Sequence, residues 1–120
     1  MLLLLSLLGS CYPVERNCLP FHNGRFRFTT EVNGSLQTAE FIRKDNLEIE
    51  FYQQQTDSAN IRWVNDCECI LTKINPTSNQ DKRPIRMRIL QTKDSSEYVF
   101  EYSLVGDNKN TQRGTIEKLN

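Results

Sequence analysis

Hydrophobic and polar residues alternate along most of this 120-residue chain. In the segment RFRFTTEV (25–32) the phenylalanines fall on one face and the arginines on the other, which is the period-two pattern of a half-buried β-strand. The same alternation recurs in segments 36–43, 47–54, 85–93, 97–105 and 113–119. No segment keeps a helical period over more than two turns. The pattern therefore predicts an all-β protein.

Turn-forming residues divide the strands. Asn33-Gly34 is the strongest hairpin signal, because both residues tolerate positive φ in a two-residue turn. Further turns are predicted at KDN (44–46), TDSAN (56–60), DSS (94–96) and GDNKNTQ (106–112). Asn65-Asp66 predicts a bulge or tight turn that splits the long segment 61–74. We expect about eight antiparallel strands in an up-and-down meander, forming a lipocalin-like barrel or a half-open barrel, because closure removes exposed sheet edges.

The alternation also predicts which residues face inward. The expected interior residues are Phe26, Phe28, Ile49, Phe51, Ile61, Trp63, Met87, Ile89, Phe100 and Tyr102. The expected outer residues are Arg25, Arg27, Glu48, Glu50, Arg62, Arg86, Arg88 and Glu101. A charged outer face is the reverse of what a membrane barrel shows. Glu48 and Glu50 could imitate a paired-carboxylate site, but we expect cross-strand pairing with arginines such as Arg62.

The N-terminus, MLLLLSLLGSC, differs from the rest of the chain. Its apolar run from Leu2 to Leu8 is too short to span a bilayer and is typical of the hydrophobic part of an export signal. Leu8-Gly9-Ser10-Cys11 resembles the bacterial lipobox, which implies cleavage before Cys11 and lipid attachment to it. We therefore expect an export signal at 1–10, a lipidated tether at 11–22 and a single domain at 23–120. The expected location is the cell envelope, with the lipid anchor in the outer membrane or on the periplasmic face.

Three cysteines remain after Cys11, and export would place them where disulfides persist. Cys67 and Cys69 lie two residues apart on a strand and so face the same way, which disfavours a bridge between them. We predict a Cys18–Cys67 disulfide with Cys69 as a buried apolar residue, and Cys18–Cys69 is the alternative pairing. Together with His22 these thiols lack the two short ligand pairs of a structural zinc site, so no metal or cofactor is predicted.

Charge composition restricts the function. Lys+Arg and Asp+Glu both total 15, which argues against a dedicated nucleic-acid-binding protein. The one basic cluster, a candidate anion or partner contact or else a solvated strand edge, consists of Lys82, Arg83, Arg86 and Arg88. His22 is the only histidine, and no nucleophile motif accompanies it, so no enzyme is predicted.

Three aromatic residues, Tyr52, Trp63 and Tyr102, are candidates to line a ligand cavity. A lone tryptophan such as Trp63 also suits a core anchor. A cavity would favour ligand binding, and a filled barrel with an exposed apolar patch would favour a protein partner.

Several segments together resemble small envelope lipoproteins of gram-negative bacteria: SCYPVERNC, GRFRF, FIRKDNLEIEFY, IRWVNDCE, ILTKINP, DSSEYVFEY and RGTIEKL. In that family WVNDCE is usually followed by an aromatic residue, and Cys69 takes that position here, which favours a core role. Such sequences sometimes carry the label "DNA topoisomerase IV", which these residues do not support. The Gly-x-Phe opening strand is similar to that of lipocalin-like barrels. No established activity accompanies this resemblance. From the missing catalytic motif and the barrel pattern we expect a non-enzymatic, monomeric envelope lipoprotein of unknown molecular function that binds a small apolar ligand. The alternative is a protein-interaction or protease-inhibitor-like module acting through YPVERNC (12–18).

Overall fold

A computed structural model of the chain describes residues 14–79, 81–107 and 109–120, so the predicted export signal and Cys11 lie outside the described residues. These residues form a closed barrel of eight antiparallel strands in up-and-down order, with β1 pairing with β8. The strands are β1 Gly24–Val32, β2 Ser35–Lys44, β3 Leu47–Tyr52, β4 Gln55–Asn65, β5 Glu68–Lys73, β6 Ile85–Lys93, β7 Glu97–Leu104 and β8 Gln112–Lys118. A 3-10 helix, Leu19–Phe21, precedes β1. The predicted all-β meander barrel is confirmed.

Two-residue turns join the first four strands. Asn33 and Gly34 both have positive φ, 51° and 81°, as the hairpin prediction requires. The turn between β3 and β4 falls at Gln53 and Gln54, which also have positive φ (48° and 66°). The predicted turn at TDSAN (56–60) is wrong, because these residues lie inside β4 and pair with 47–51 of β3. Glutamine rarely adopts positive φ, so the actual turn carries no sequence signal of the kind that Asn-Gly supplies.

The two ends of the barrel differ. The closed end carries the 3-10 helix and the β2–β3, β4–β5 and β6–β7 turns, and the open end carries the other turns and the two longer loops, 74–84 and 105–111. Most of the core lies in the closed half. The buried apolar residues are Cys18, Phe21, Phe26, Phe41, Ile61, Cys69, Met87, Ile89, Tyr98, Phe100 and Ile116. This set confirms five of the predicted interior residues, Phe26, Ile61, Met87, Ile89 and Phe100, while Phe28, Trp63 and Tyr102 pack half-buried against it.

The 3-10 helix plugs the closed end. Phe21 is fully buried, and its ring packs edge-on against Tyr98 with the ring centroids 5.0 Å apart. Lys118 Nζ donates to the Pro20 carbonyl at 2.6 Å, and Arg43 donates to the Phe21 carbonyl at 3.1 Å. Two cationic donors thus satisfy carbonyls that the short helix leaves without intrahelical partners.

Residues before the helix are also bound to the barrel. Cys18 forms the predicted disulfide with Cys67, with the Cα atoms 5.3 Å apart. The backbone N–H of Thr92 donates to the Glu15 carbonyl at 2.8 Å, and the N–H of Asn17 donates to Thr92 Oγ1 at 2.9 Å. The described part of the predicted tether, residues 14–22, therefore packs along the closed end next to the β6–β7 hairpin.

The predicted orientation of β3 is wrong. Phe51 is 41% exposed and faces outward with Ile49, whereas Glu48 and Glu50 line the open cavity of the barrel, where Glu50 remains exposed to solvent. The register explains this, because residues directly opposite each other in neighbouring strands share a face. Glu48 lies opposite Arg43 and Glu50 lies opposite Phe41, and both of these β2 residues are buried inside the barrel. The expected pairing of Glu48 and Glu50 with outer arginines such as Arg62 is accordingly also wrong, since Glu48 pairs with Arg43.

Candidate ligand-binding cavity

A cavity of about 480 Å³ occupies the open half of the barrel. All eight strands contribute side chains to it, and the β5–β6 loop adds Asp81 and Arg83 at the mouth. The volume falls within the range of ~300–1,000 Å³ that is usual for small-molecule sites.

One wall of the cavity is apolar. It comes from β7, β8 and β1 and consists of Phe28, Phe100, Tyr102, Leu104 and Ile116. The rings of Phe28 and Phe100 meet edge-on, with centroids 5.6 Å apart. Gly114 makes this contact possible, because a Cβ atom there would lie 2.9 Å from both rings. Tyr102 stacks on Phe100 with centroids 5.6 Å apart and donates its hydroxyl to Gln112 Oε1 at 2.6 Å.

The floor of the cavity is a buried ion pair. Arg43 is 2% exposed, and its Nε donates to Glu48 Oε1 at 2.9 Å. Its guanidinium carbon also lies 4.9 to 5.8 Å from the ring centroids of four aromatic residues, Phe26, Phe41, Trp63 and Tyr98. Because Arg43 lines the cavity and also donates to the Phe21 carbonyl, it connects the site to the plug at the closed end.

The wall opposite the aromatic residues carries acidic groups. In a closed ring of eight strands β3 and β4 lie across from β7 and β8, and they present Glu48, Glu50 and Asp57 to the cavity. Glu50 and Asp57 are direct cross-strand partners. Glu50 is exposed to solvent, and its pKa is raised by partial desolvation and by the nearby Glu48 and Asp57 carboxylates, while Lys73 lowers it. Lys73 on β5 forms an ion pair with Asp81 at 3.7 Å.

Of the three aromatic residues predicted to line a cavity, Tyr102 does so. Trp63 lies at the closed end, where its ring stacks on His22 at a centroid distance of 3.7 Å and an interplanar angle of 9°. Tyr52 is half-buried, with its hydroxyl 3.5 Å from Gln37 Oε1, and does not line the cavity. His22 Nε2 lies 2.7 Å from the Asp66 carbonyl oxygen, so the histidine helps to hold the plug in place.

The predicted basic cluster consists of four cations, Lys82, Arg83, Arg86 and Arg88. Arg86 pairs with Glu68 at 2.9 Å, and Arg88 approaches Glu101 at 3.7 Å, both on the outside of the barrel. The other two belong to the exposed β5–β6 loop, where Arg83 lines the cavity mouth. The four cations therefore do not form one free basic surface.

The three cysteines that the structure describes, Cys18, Cys67 and Cys69, and the histidine are engaged in structural contacts. Burial raises the pKa of the Cys69 thiol to about 12, so it stays protonated and unreactive at neutral pH.

In the described part of the chain, no group of three His, Cys, Asp or Glu side chains is placed to hold a metal ion. None of the helices in the described ranges is both long and apolar enough to cross a membrane. Tyr98 carries a buried hydroxyl without a hydrogen-bond partner among the described residues, and burial raises its pKa.

Sequence reasoning missed the polar part of this site. Arg43 shares the alternating face of β2 with Ala39 and Phe41, so period two alone places it inside. The sequence pattern thus indicated that the Arg43 side chain points into the barrel. Asp57 had no such signal, because TDSAN is typical of a turn.

Comparison with known protein families, with curated proteins and with solved structures finds no match to this chain. The resemblance to envelope lipoproteins thus stays a prediction, and the arguments about function depend on the fold and on the cavity.

Proposed function

We propose that this protein is a lipid-anchored binding protein of the cell envelope whose barrel cavity takes up a small, largely apolar ligand. The observation that carries the proposal is the cavity of about 480 Å³. Its aromatic and aliphatic wall would remove an apolar ligand from water, which is the main source of affinity for such a ligand. The few charged groups around that wall would orient the ligand.

The disulfide supports the envelope location. Cys18 and Cys67 form a disulfide. Disulfides form and persist in oxidising compartments and are rare in the cytosol. If Cys11 carries lipid, three residues separate it from Glu15, whose carbonyl is bonded to Thr92 at the closed end. We expect Cys11→Ala to abolish lipidation and membrane attachment in the native host. A variant that is still labelled by a radioactive fatty acid and still sediments with membranes would contradict the anchor.

A binding role fits these residues better than a catalytic one. The single histidine of the chain stacks on Trp63 at the closed end, away from the cavity. The Cys69 thiol is buried and protonated. Glu48 at the cavity floor is already paired with Arg43. The histidine and the Cys69 thiol, the side chains most suited to nucleophilic or base chemistry, therefore both lie outside the cavity lining.

The alternative role, a protein-interaction or inhibitor module that acts through YPVERNC, is less well supported. Within the described part of this segment, Glu15, Arg16 and Asn17 all bond to β6, and Cys18 is in the disulfide. A segment held by intramolecular contacts would have to be released before it could enter a partner's binding site.

Native mass spectrometry of the mature protein, purified from its own envelope, tests the binding role. We expect a retained small molecule in addition to the mass of protein plus lipid anchor. A solution test uses the uncharged fluorescent probe N-phenyl-1-naphthylamine. The variant Leu104→Trp should fill the cavity and abolish probe binding. The matched variant Leu36→Trp, at an outward position that is 75% exposed, should leave binding unchanged. Equal binding by both variants, or no binding by the unmodified protein, would refute the proposal.

A further inference from the structure

We propose that the cavity selects a ligand with an apolar body and a cationic group, such as an alkylammonium, and that Glu50 and Asp57 bind the cation. This inference rests on the proposed function and adds the chemical class of the ligand.

The first argument is the charge distribution in the cavity. Two of its cations already have partners, since Arg43 pairs with Glu48 at 2.9 Å and Lys73 with Asp81 at 3.7 Å. Glu50 and Asp57 form no ion pair within the described residues, although both line the cavity.

The remaining lining cation, Arg83, lies in the β5–β6 loop at the cavity mouth and forms no ion pair with Glu50 or Asp57 in the described residues. The cavity lining therefore carries four acidic side chains, Glu48, Glu50, Asp57 and Asp81, against three basic ones, Arg43, Lys73 and Arg83.

The second argument is that this arrangement does not serve the fold. Carboxylates that lie directly opposite each other on neighbouring strands destabilise a sheet. Glu50 and Asp57 are such a pair, and both side chains are exposed to solvent in the cavity. A local arrangement that opposes folding is expected mainly where function requires it. A bound cation would remove the repulsion.

The third argument is the wall that faces the acids. Tyr102 stacks on Phe100, which meets Phe28 edge-on. Tyr102 on β7 and Glu50 on β3 line the same cavity from strands that face each other in the ring. Aromatic faces opposite carboxylates are the environment that recognises ammonium groups, through cation–π attraction combined with opposite charge. The same wall would repel an anion.

The experiment compares two competitors of equal chain length, decyltrimethylammonium and decanoate, below their micelle concentrations. Each displaces N-phenyl-1-naphthylamine from the full chain with its disulfide formed. We expect the cation to displace the probe at a concentration about tenfold lower than the anion, which corresponds to ~1.4 kcal/mol. The double variant Glu50→Gln/Asp57→Asn should lose the preference, read as the ratio of the two displacing concentrations, which does not depend on how tightly the probe itself binds. The control Glu31→Gln, at an exposed position of β1, should keep it.

The outcomes separate the two proposals. Probe binding with no preference, or with a preference for decanoate, would overturn the cationic selectivity and leave the binding role intact. A preference that persists in the double variant would overturn the assignment to Glu50 and Asp57. Failure of the probe to bind at all would overturn the binding role itself, and the selectivity with it.

Discussion

Replacing Arg43 by methionine should lower the free energy of unfolding by ~3–5 kcal/mol, the range for breaking one partner of a buried ion pair. The substitution leaves the Glu48 carboxylate, whose side chain is 14% exposed, without its counter-charge. It also removes the donor to the Phe21 carbonyl. At about 4 °C per kcal/mol for a domain of this size, the melting temperature should fall by roughly 12–20 °C.

A second variant distinguishes the cost of leaving the Glu48 carboxylate unpaired from the cost of the lost packing. Arg43→Met/Glu48→Leu removes both charges, and replacing a buried ion pair by apolar residues is often neutral. We expect the double variant to recover most of the loss. A deficit of ~1–2 kcal/mol should remain for the unpaired Phe21 carbonyl and the lost cation–π contacts. The control is Arg25→Met, which breaks the pair with Glu40 whose side chains are 52% and 38% exposed; surface pairs contribute only ~0–1 kcal/mol.

Urea unfolding measures these differences. Trp63 is the only tryptophan, and it stacks on His22 at the closed end, so its fluorescence reports release of the plug. Far-ultraviolet circular dichroism follows the sheet in parallel. The reasoning is refuted if Arg43→Met costs less than the Arg25→Met control, or if the double variant is no more stable than Arg43→Met alone.

Three further predictions test other parts of the structure. Cys18→Ser and Cys67→Ser should each lose ~4 kcal/mol, the chain-entropy value for a loop of about 50 residues, while Cys69→Ser should keep the disulfide in a thiol assay; loss of the bridge in the Cys69 variant would contradict the pairing. Gly114→Ala should lower the melting temperature by an amount equivalent to ~1–3 kcal/mol, because its Cβ would overlap two phenylalanine rings; an unchanged melting temperature would contradict that packing. Glu50→Gln should raise stability at pH 7, because a raised carboxyl pKa means that the ionised form opposes folding. The gain should shrink as the pH falls through the raised pKa and vanish below about pH 4, where the group is protonated in both states; a gain independent of pH would exclude titration of Glu50 as its cause.

The limits of sequence reasoning are clearest at β3. The alternation in this strand predicts its two faces, but the assumption that the apolar face must be buried predicts the wrong face as the inward one. Leu47, Ile49 and Phe51 share one face, yet the pairing with β2 turns Phe51 outward and brings Glu48 beside Arg43. Because side chains alternate between the two faces of a strand, assigning one residue to the wrong face assigns every residue of the strand to the wrong face. That error concealed both the ion pair at the floor and the acidic wall.

The sequence alone determined the features that depend on local chemistry. Period-two alternation and the positive φ that Asn33 and Gly34 tolerate predicted an antiparallel barrel, and the spacing of the cysteines disfavoured a bridge between Cys67 and Cys69. The tertiary structure alone decided the register of β3, the insertion of Phe21 as a plug, and the placement of Tyr102 and Glu50 in one cavity. The physical reason is that these features depend on contacts between residues far apart in the chain, whose energies are settled only when all eight strands close into the barrel.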